Sequence, residues 1–142
     1  EPYGVIANYH LSHPVSFRGI HGLILALDEV CEMVGTPMAT TEPRFLLNER
    51  EQQYRALKGK QKKEPGKILT KEDVAAKMFP CVTAAKAVIL VHVLYRQNSS
   101  MQGRIQCSYT GTHYIAFRSA LELMRMLDEA NTYMCRNQKN KD

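Results

Sequence analysis

The sequence lacks several features that would identify a membrane protein or a nucleotide-dependent enzyme at once. Its 142 residues include no tryptophan, and its longest strongly apolar run, AVILVHVLY, is far shorter than the roughly 20 residues that a membrane-spanning helix needs. Its glycines occur without the spacing of a phosphate-binding loop or a dinucleotide-binding fingerprint. We therefore expect no membrane partner and no nucleotide cofactor held by either motif.

Closely spaced cysteines are absent too. Cys31, Cys81, Cys107 and Cys135 lie 26 to 50 residues apart, so no pair has the short spacing of a zinc ribbon or a redox motif. Cys31 and Cys107 fall on apolar faces of predicted elements, which favours reduced, buried thiols and an intracellular location, nuclear or cytoplasmic. The alternative is a secreted protein with two disulfides, because NSS at Asn98 is a glycosylation sequon.

No catalytic or metal-binding pattern stands out among the titratable residues. HLSH places His10 and His13 close together, but no cysteine or carboxylate ligand is adjacent. Asp28, Glu29 and Glu32 form the most compact acidic set, which we interpret as the solvated face of a helix. We predict a non-enzymatic protein without a metal site or a cofactor.

Positive charge is present in excess and is unevenly distributed. The formal net charge is +5, yet residues 1–49 carry only two basic groups against six acidic ones. Residues 50–71 carry eight basic groups and two acidic ones. Such a local concentration of charge indicates an acidic partner, either nucleic acid or an acidic protein surface.

Most of this charge lies in the segment RALKGKQKKEPGKILTK, which we call the lysine stretch. It has six lysines within fourteen positions, no aromatic residue, and two glycines and a proline that favour a loop at about 58–70. Lysines read charge and not bases, so any nucleic-acid binding here would be nonspecific. The predicted contact residues are Arg55, Lys58, Lys60, Lys62, Lys63, Lys67 and Lys71.

Periodicity and capping signals predict the secondary structure. A strand is expected over Tyr3–Leu11, and a long amphipathic helix from Ser16 to Gly35. A surface helix should begin near Thr41. Another should follow a capping box of Thr70 and Asp73, run from Lys71 to Phe79 and stop at Pro80. Residues 86–96 suit a strand, although helix remains open because the run is continuously apolar. NSSMQG predicts a turn after this run. Two more strands, RIQCSY and THYIAF, with a turn at Thr110 and Gly111 between them, and a helix from Ser119 to about Met134 complete the chain.

These elements predict a single α+β domain over residues 1–142. We expect one antiparallel sheet, made of the N-terminal strand and the three-strand meander and covered by the two long amphipathic helices. Two minor helices and the lysine stretch are inserted between these parts.

Two functions fit this architecture. In the first, the domain binds nucleic acid through the lysine stretch, either RNA or nucleic acid of any kind. In the second, it is a protein-interaction module that uses the open sheet face through Tyr95, Tyr109 and Tyr114. Either function leaves room for a homo-oligomer.

Overall fold

A computed structural model describes residues 1–38, 42–58 and 70–139, and within them the chain has an α+β fold with two antiparallel sheets. Strands β1 and β2 form one sheet, and β3, β4 and β5 form the other in that order. The elements are β1 Tyr3–Ile6, β2 Val15–Arg18, α1 Gly19–Met33, α2 Asn48–Ala56, α3 Lys71–Ala84, β3 Leu90–Tyr95, β4 Gln102–Gln106, β5 Ile115–Phe117 and α4 Ala120–Lys139.

The first long helix begins later than predicted. Ser16 lies in strand β2, opposite Val5 of β1, and the helix starts only at Gly19. Gly19 has φ +72°, a conformation that glycine adopts at little cost, and its N–H donates to the Pro2 carbonyl at 2.8 Å. The predicted end is correct, because Gly35 with φ +73° terminates α1.

The prediction of a single sheet is wrong because residues Val15–Arg18 form strand β2 and not the first turn of a helix. Strand β1 pairs with β2 in the register Tyr3 with Arg18 through Ile6 with Val15, and so it does not join the meander. A strand formed shortly after β1 in the chain satisfies the backbone hydrogen bonds of β1 with little loop-closure entropy. Ile6 still packs against the main core.

The meander itself is confirmed, with shorter strands than the sequence indicates. Strand β3 resolves the ambiguity of residues 86–96 in favour of a strand, and β4 begins at Gln102. The turn predicted at Thr110 and Gly111 is present, since the Thr110 N–H donates to the Cys107 carbonyl and Gly111 has φ +61°.

The two longest helices, α1 and α4, pack on one face of this meander. The buried cluster combines side chains from α1, α4, the strands and the loop before β4, and its members are Ile24, Leu27, Met101, Ile105, Phe117, Leu123 and Leu127. Burial of these apolar groups is the main driving force for folding. The opposite face of the sheet carries no helix that contributes to this cluster.

The two minor helices differ from their predicted bounds. Helix α2 begins at Asn48 and not near Thr41; residues 42–47 are not helical, and the Phe45 ring packs on Tyr54 with 5.2 Å between centroids. Helix α3 has the predicted capping box of Thr70 and Asp73, but it continues through Pro80 to Ala84. Proline removes one hydrogen bond, and on an exposed helix water replaces that bond.

Helix α4 has the predicted cap at Ser119, whose Oγ accepts from the Glu122 N–H at 3.2 Å. The Glu122 carboxylate accepts from the backbone N–H of Arg118 at 2.7 Å, one residue earlier than in a standard capping box. The hydrogen bonds from the Arg118 side chain and then from its backbone lower the pKa of Glu122.

We expect Ser119→Ala to lower the free energy of unfolding by about 1 kcal/mol, because the Glu122 N–H loses its acceptor. Urea unfolding measures the change. The control is Ser16→Ala, since the sequence marks Ser16 as a helix cap while the structure places it, exposed, in β2. A loss for Ser16→Ala equal to that for Ser119→Ala would contradict these helix starts.

Within the described ranges, no helix is long and apolar enough to cross a membrane. The four cysteines, all of them described, form no disulfide. Cys31 is buried as its position in the apolar stripe predicts, and this burial raises the pKa of its thiol.

Candidate nucleic-acid interface

The outer face of the three-stranded sheet, which we call the open sheet face, is built by strand alternation. In β4, Gly103 and Ile105 point into the core, so Arg104 points outward between Gln102 and Gln106. The register then places His92 of β3 and Ala116 of β5 on either side of Arg104. The strand residues of the open sheet face are Leu90, His92, Tyr95, Gln102, Arg104, Gln106 and Ala116.

Arg104 is the centre of this face. Its Nε donates to Nδ1 of His92 at 3.2 Å, and its guanidinium carbon lies 4.5 Å from the centroid of the Tyr114 ring. The stacked ring and the imidazole hold the guanidinium flat along the sheet while the side chain stays exposed. The result is a fixed cationic, planar group next to an aromatic ring.

A bulge brings a second aromatic side chain to the same face. The register of β3 on β4 shifts between Val93, which pairs with Gly103, and Tyr95, which pairs with Gln102. Tyr95 therefore shares a face with Arg104, and its surface is 59% exposed. Tyr95 and Tyr114 were both predicted here, but Tyr109 packs edge-on against Tyr133 of α4, with 4.9 Å between ring centroids.

A shallow groove borders the open sheet face at β5. It has a volume of about 480 Å³ and is lined by Ala116, Arg118, Glu122, Arg125, Met126 and Glu129. Arg118 and Glu122 form an exposed ion pair at 2.6 Å, in which the carboxylate holds the guanidinium near the strand end. The groove thus places two arginines beside the carboxylate-free strands.

The charge on the strands is of one sign. Strands β3, β4 and β5 contain arginine and histidine but no aspartate or glutamate, as their sequences LVHVLY, QGRIQ and IAF show. The groove beside β5, by contrast, contains Glu122 and Glu129 of α4. An anionic ligand can therefore lie along the sheet without meeting a carboxylate there.

Arg96, directly after β3, is buried and takes part in a separate ionic network. Its side chain is 3% exposed and pairs with Glu32 at 2.9 Å and Asp28 at 3.6 Å, and it also donates to the Thr36 carbonyl. Tyr54 of α2 completes the network by donating to Asp28 at 2.7 Å. The interpretation of the Asp28 and Glu32 carboxylates as a merely solvated helix face is therefore wrong.

The network shifts two ionisation equilibria. Burial, and then the hydrogen bond to Asp28, raise the pKa of the Tyr54 phenol. Burial opposes the charge of Arg96, but its hydrogen bond to Glu32 and the neighbouring charges raise the pKa of the guanidinium. Both groups stay protonated, so the network ties α1, α2 and the end of β3 together.

Three of the predicted contact residues in the lysine stretch are described. Arg55 is held by Glu42 and Glu51, each at 2.8 Å, while Lys58 is exposed at the rim of a cleft that Arg96 also lines. Lys71 is the exposed first residue of α3. The other four predicted residues, Lys60, Lys62, Lys63 and Lys67, lie outside the described residues.

The histidines of HLSH do not form a metal site in the described part of the chain, where no group of three or more metal-ligating side chains comes together. Neither Arg104 nor His92 is among the contact residues predicted from the sequence. The alternation of QGRIQ held the signal, because a strand that buries Gly103 and Ile105 must expose Arg104.

No protein-family profile, no curated protein and no solved structure matches this chain. Its function is therefore inferred from its own residues and their geometry.

Proposed function

We propose that this domain binds single-stranded nucleic acid without sequence preference, with bases stacked on the open sheet face and phosphates contacted by basic side chains at its borders. The observation that carries the proposal is the stacked Arg104 and Tyr114 pair beside His92, on strands without carboxylates. Proteins that bind single strands combine positive charge with exposed aromatic rings on which bases stack.

The geometry favours stacking over base-specific readout. Tyr95 and Tyr114 are 59% and 45% exposed, and every base has a π-face that such rings can accept. Arg104 already donates to His92 through Nε, so its planar face and remaining N–H groups serve a base or a phosphate. Sequence preference should therefore be weak.

In this proposal the lysine stretch supplies positive charge for the phosphates, as the sequence predicts. Lys58 lies on the rim of the cleft shared with Arg96, and Arg96 follows Tyr95 in the chain. Lys58 therefore lies near the residue that directly follows Tyr95. We expect the other lysines of the stretch to add contacts to the phosphates of a bound strand.

Fluorescence anisotropy with a labelled oligouridylate of about 12 nucleotides tests the proposal, across a salt titration. We expect Tyr95→Leu and Tyr114→Leu each to weaken binding roughly tenfold without a change in salt slope, because stacking is lost and charge is kept. Arg104→Gln should make the slope shallower by about 0.7, and the triple change of Lys60, Lys62 and Lys63 to Gln by about 2.

The control is Tyr109→Leu, an exposed tyrosine off the open sheet face, which should bind like the wild type. An equal loss for Tyr109→Leu would contradict the assigned face. If only the triple lysine variant loses affinity, binding uses the lysine stretch alone. If the wild type binds no single strand at low salt, the nucleic-acid function is wrong.

A second function, protein interaction through the same face, is favoured by one observation. Leu90 of the open sheet face and Leu94 at the bulge of β3 are 51% and 45% exposed, and apolar side chains of this kind suit a protein partner better than a phosphate backbone. If the wild type does not bind nucleic acid, protein interaction becomes the leading function.

A further inference from the structure

Strand β3 is an edge strand whose sequence carries no charged or proline side chain against pairing, and its bulge lies at the C-terminal end, between Val93 and Tyr95. In the described part of the chain the order β3-β4-β5 leaves one side of β3 without a paired strand, and a parallel bridge joins Met38 to Arg96, directly after β3. Residues 90–94 contain no proline, lysine or carboxylate that would block another strand. Their outward backbone N–H and C=O groups form a template for a further strand.

The sequence of this edge is palindromic. Residues 90–94 read LVHVL, so the strand is identical in both directions about His92. An antiparallel copy centred on His92 would place Leu90 opposite Leu94 of the partner, and Val91 opposite Val93. Each residue then meets one of the same kind, which is the condition for a two-fold symmetric interface.

We propose that β3 pairs antiparallel with β3 of a second copy of this chain, with the two-fold axis at His92, and that the two meanders form one six-stranded sheet. Leucines meet on the open side, where Leu90 and Leu94 are otherwise exposed, and half-buried valines meet on the core side. The opposite edge strand, β5, has only three residues and is less suited to pairing.

The register is fixed by the faces of the strand. A slip of one residue would place valines of one copy on the face that carries the leucines of the other. A longer slip toward the C-terminus would meet the segment at Met38 that already pairs beside Arg96. Pairing confined to residues 90–94 around His92 keeps leucine opposite leucine and ends before Arg96.

The symmetry places both open sheet faces on the same side of the joined sheet. Arg104 of each copy would lie three strand spacings from its counterpart, about 14 Å. Self-association does not require nucleic acid, so it can be tested without any ligand.

Sedimentation velocity over a wide concentration range measures the association of the protein alone. We expect the wild type to shift from one chain to two chains as concentration rises, and the variant Leu90→Lys with Leu94→Lys to remain monomeric, since lysines would face each other across the axis. The matched control, Leu25→Lys with Leu121→Lys, adds the same charge at leucines that are 64% and 55% exposed on α1 and α4. It should associate like the wild type.

Disulfide trapping tests the axis itself. In a background with Cys81, Cys107 and Cys135 replaced by Ser, we expect His92→Cys to form a linked dimer with oxidised glutathione, because Cα atoms of opposed residues are about 4.5 to 5.5 Å apart. Arg104→Cys removes the same His92 hydrogen bond but lies on the central strand, and it should not link. A wild type that stays monomeric together with an unlinked His92→Cys would overturn the proposal, as would equal linking of both variants.

Discussion

Replacing Arg96 with Ala is expected to lower the free energy of unfolding by about 3 to 5 kcal/mol, the largest effect among the charged residues that the structure describes. The guanidinium is 3% exposed, and its closest carboxylate, Glu32, is 13% exposed. Removing Arg96 leaves Glu32 and Asp28 without their counter-ion and leaves the Thr36 carbonyl without this donor. Breaking a buried ion pair from one side carries the full desolvation cost of the other side.

Urea unfolding of three further variants separates burial from ion pairing as the cause. Arg118→Ala removes an ion pair of 2.6 Å from a guanidinium side chain that is 88% exposed, and it should change stability little because water screens that pair. Arg96→Met should be nearly as destabilising as Arg96→Ala, because filling the space does not neutralise the carboxylates. Adding Glu32→Gln to Arg96→Met should recover part of the loss.

An equally small loss for Arg96→Ala and Arg118→Ala would mean that Arg96 is hydrated and not buried. A large loss should be accompanied by release of α2, since Tyr54 contacts both Asp28 and Arg96. Protease cleavage near α2 in the Arg96→Ala variant would report this release before global unfolding.

Features set by neighbours in the chain could be predicted from the sequence. The cap at Ser119, the capping box of Thr70 and Asp73, and the helix end at Gly35 all depend on residues within about four positions of one another. The meander was predicted for the same reason, because each of its strands pairs with the next one.

Features set by distant partners could not be predicted. Phe17 fits the three- and four-residue spacing of a helix as well as the alternation of a strand, and only its pairing with Gly4 of β1 decides the outcome. Arg96 is buried because Glu32, 64 residues away, meets it. A pattern within a few neighbouring residues cannot reveal a contact between residues so far apart in the sequence.

The open sheet face lies between these two cases. Tyr95 and Tyr114 lie on the face predicted for them, although Tyr95 reaches it only through the bulge in β3, whereas Tyr109 follows a β4 that ends earlier than predicted. The glycine that precedes Arg104 was expected in the turn NSSMQG, yet Gly103 is an inward-facing residue of β4. A glycine inside a strand indicates close approach of another group. At Gly103 the approaching groups are the backbone carbonyl of His92 and the ring of Phe117.

Gly103→Ala is expected to lower the free energy of unfolding by about 3 kcal/mol. A Cβ at this position would overlap the carbonyl oxygen of His92 on the neighbouring strand and would lie 2.9 Å from Cζ of Phe117. Phe117 is 2% exposed, so its ring has no free space to move into. Strands β3 and β4 would have to separate, and the hydrogen bond between Arg104 and His92 would be lost with them.

The matched control is Gly22→Ala in α1, where a Cβ meets nothing within 4 Å. This substitution should raise the free energy of unfolding by about 0.5 to 1 kcal/mol, because alanine loses less backbone entropy in a helix. The same change of one methyl group then has opposite signs at two glycines, as urea unfolding can measure. Hydrogen exchange should show faster exchange of β3 and β4 amides in Gly103→Ala alone. If Gly103→Ala is as stable as the wild type, β3 and β4 do not approach each other as closely as the core and the open sheet face require.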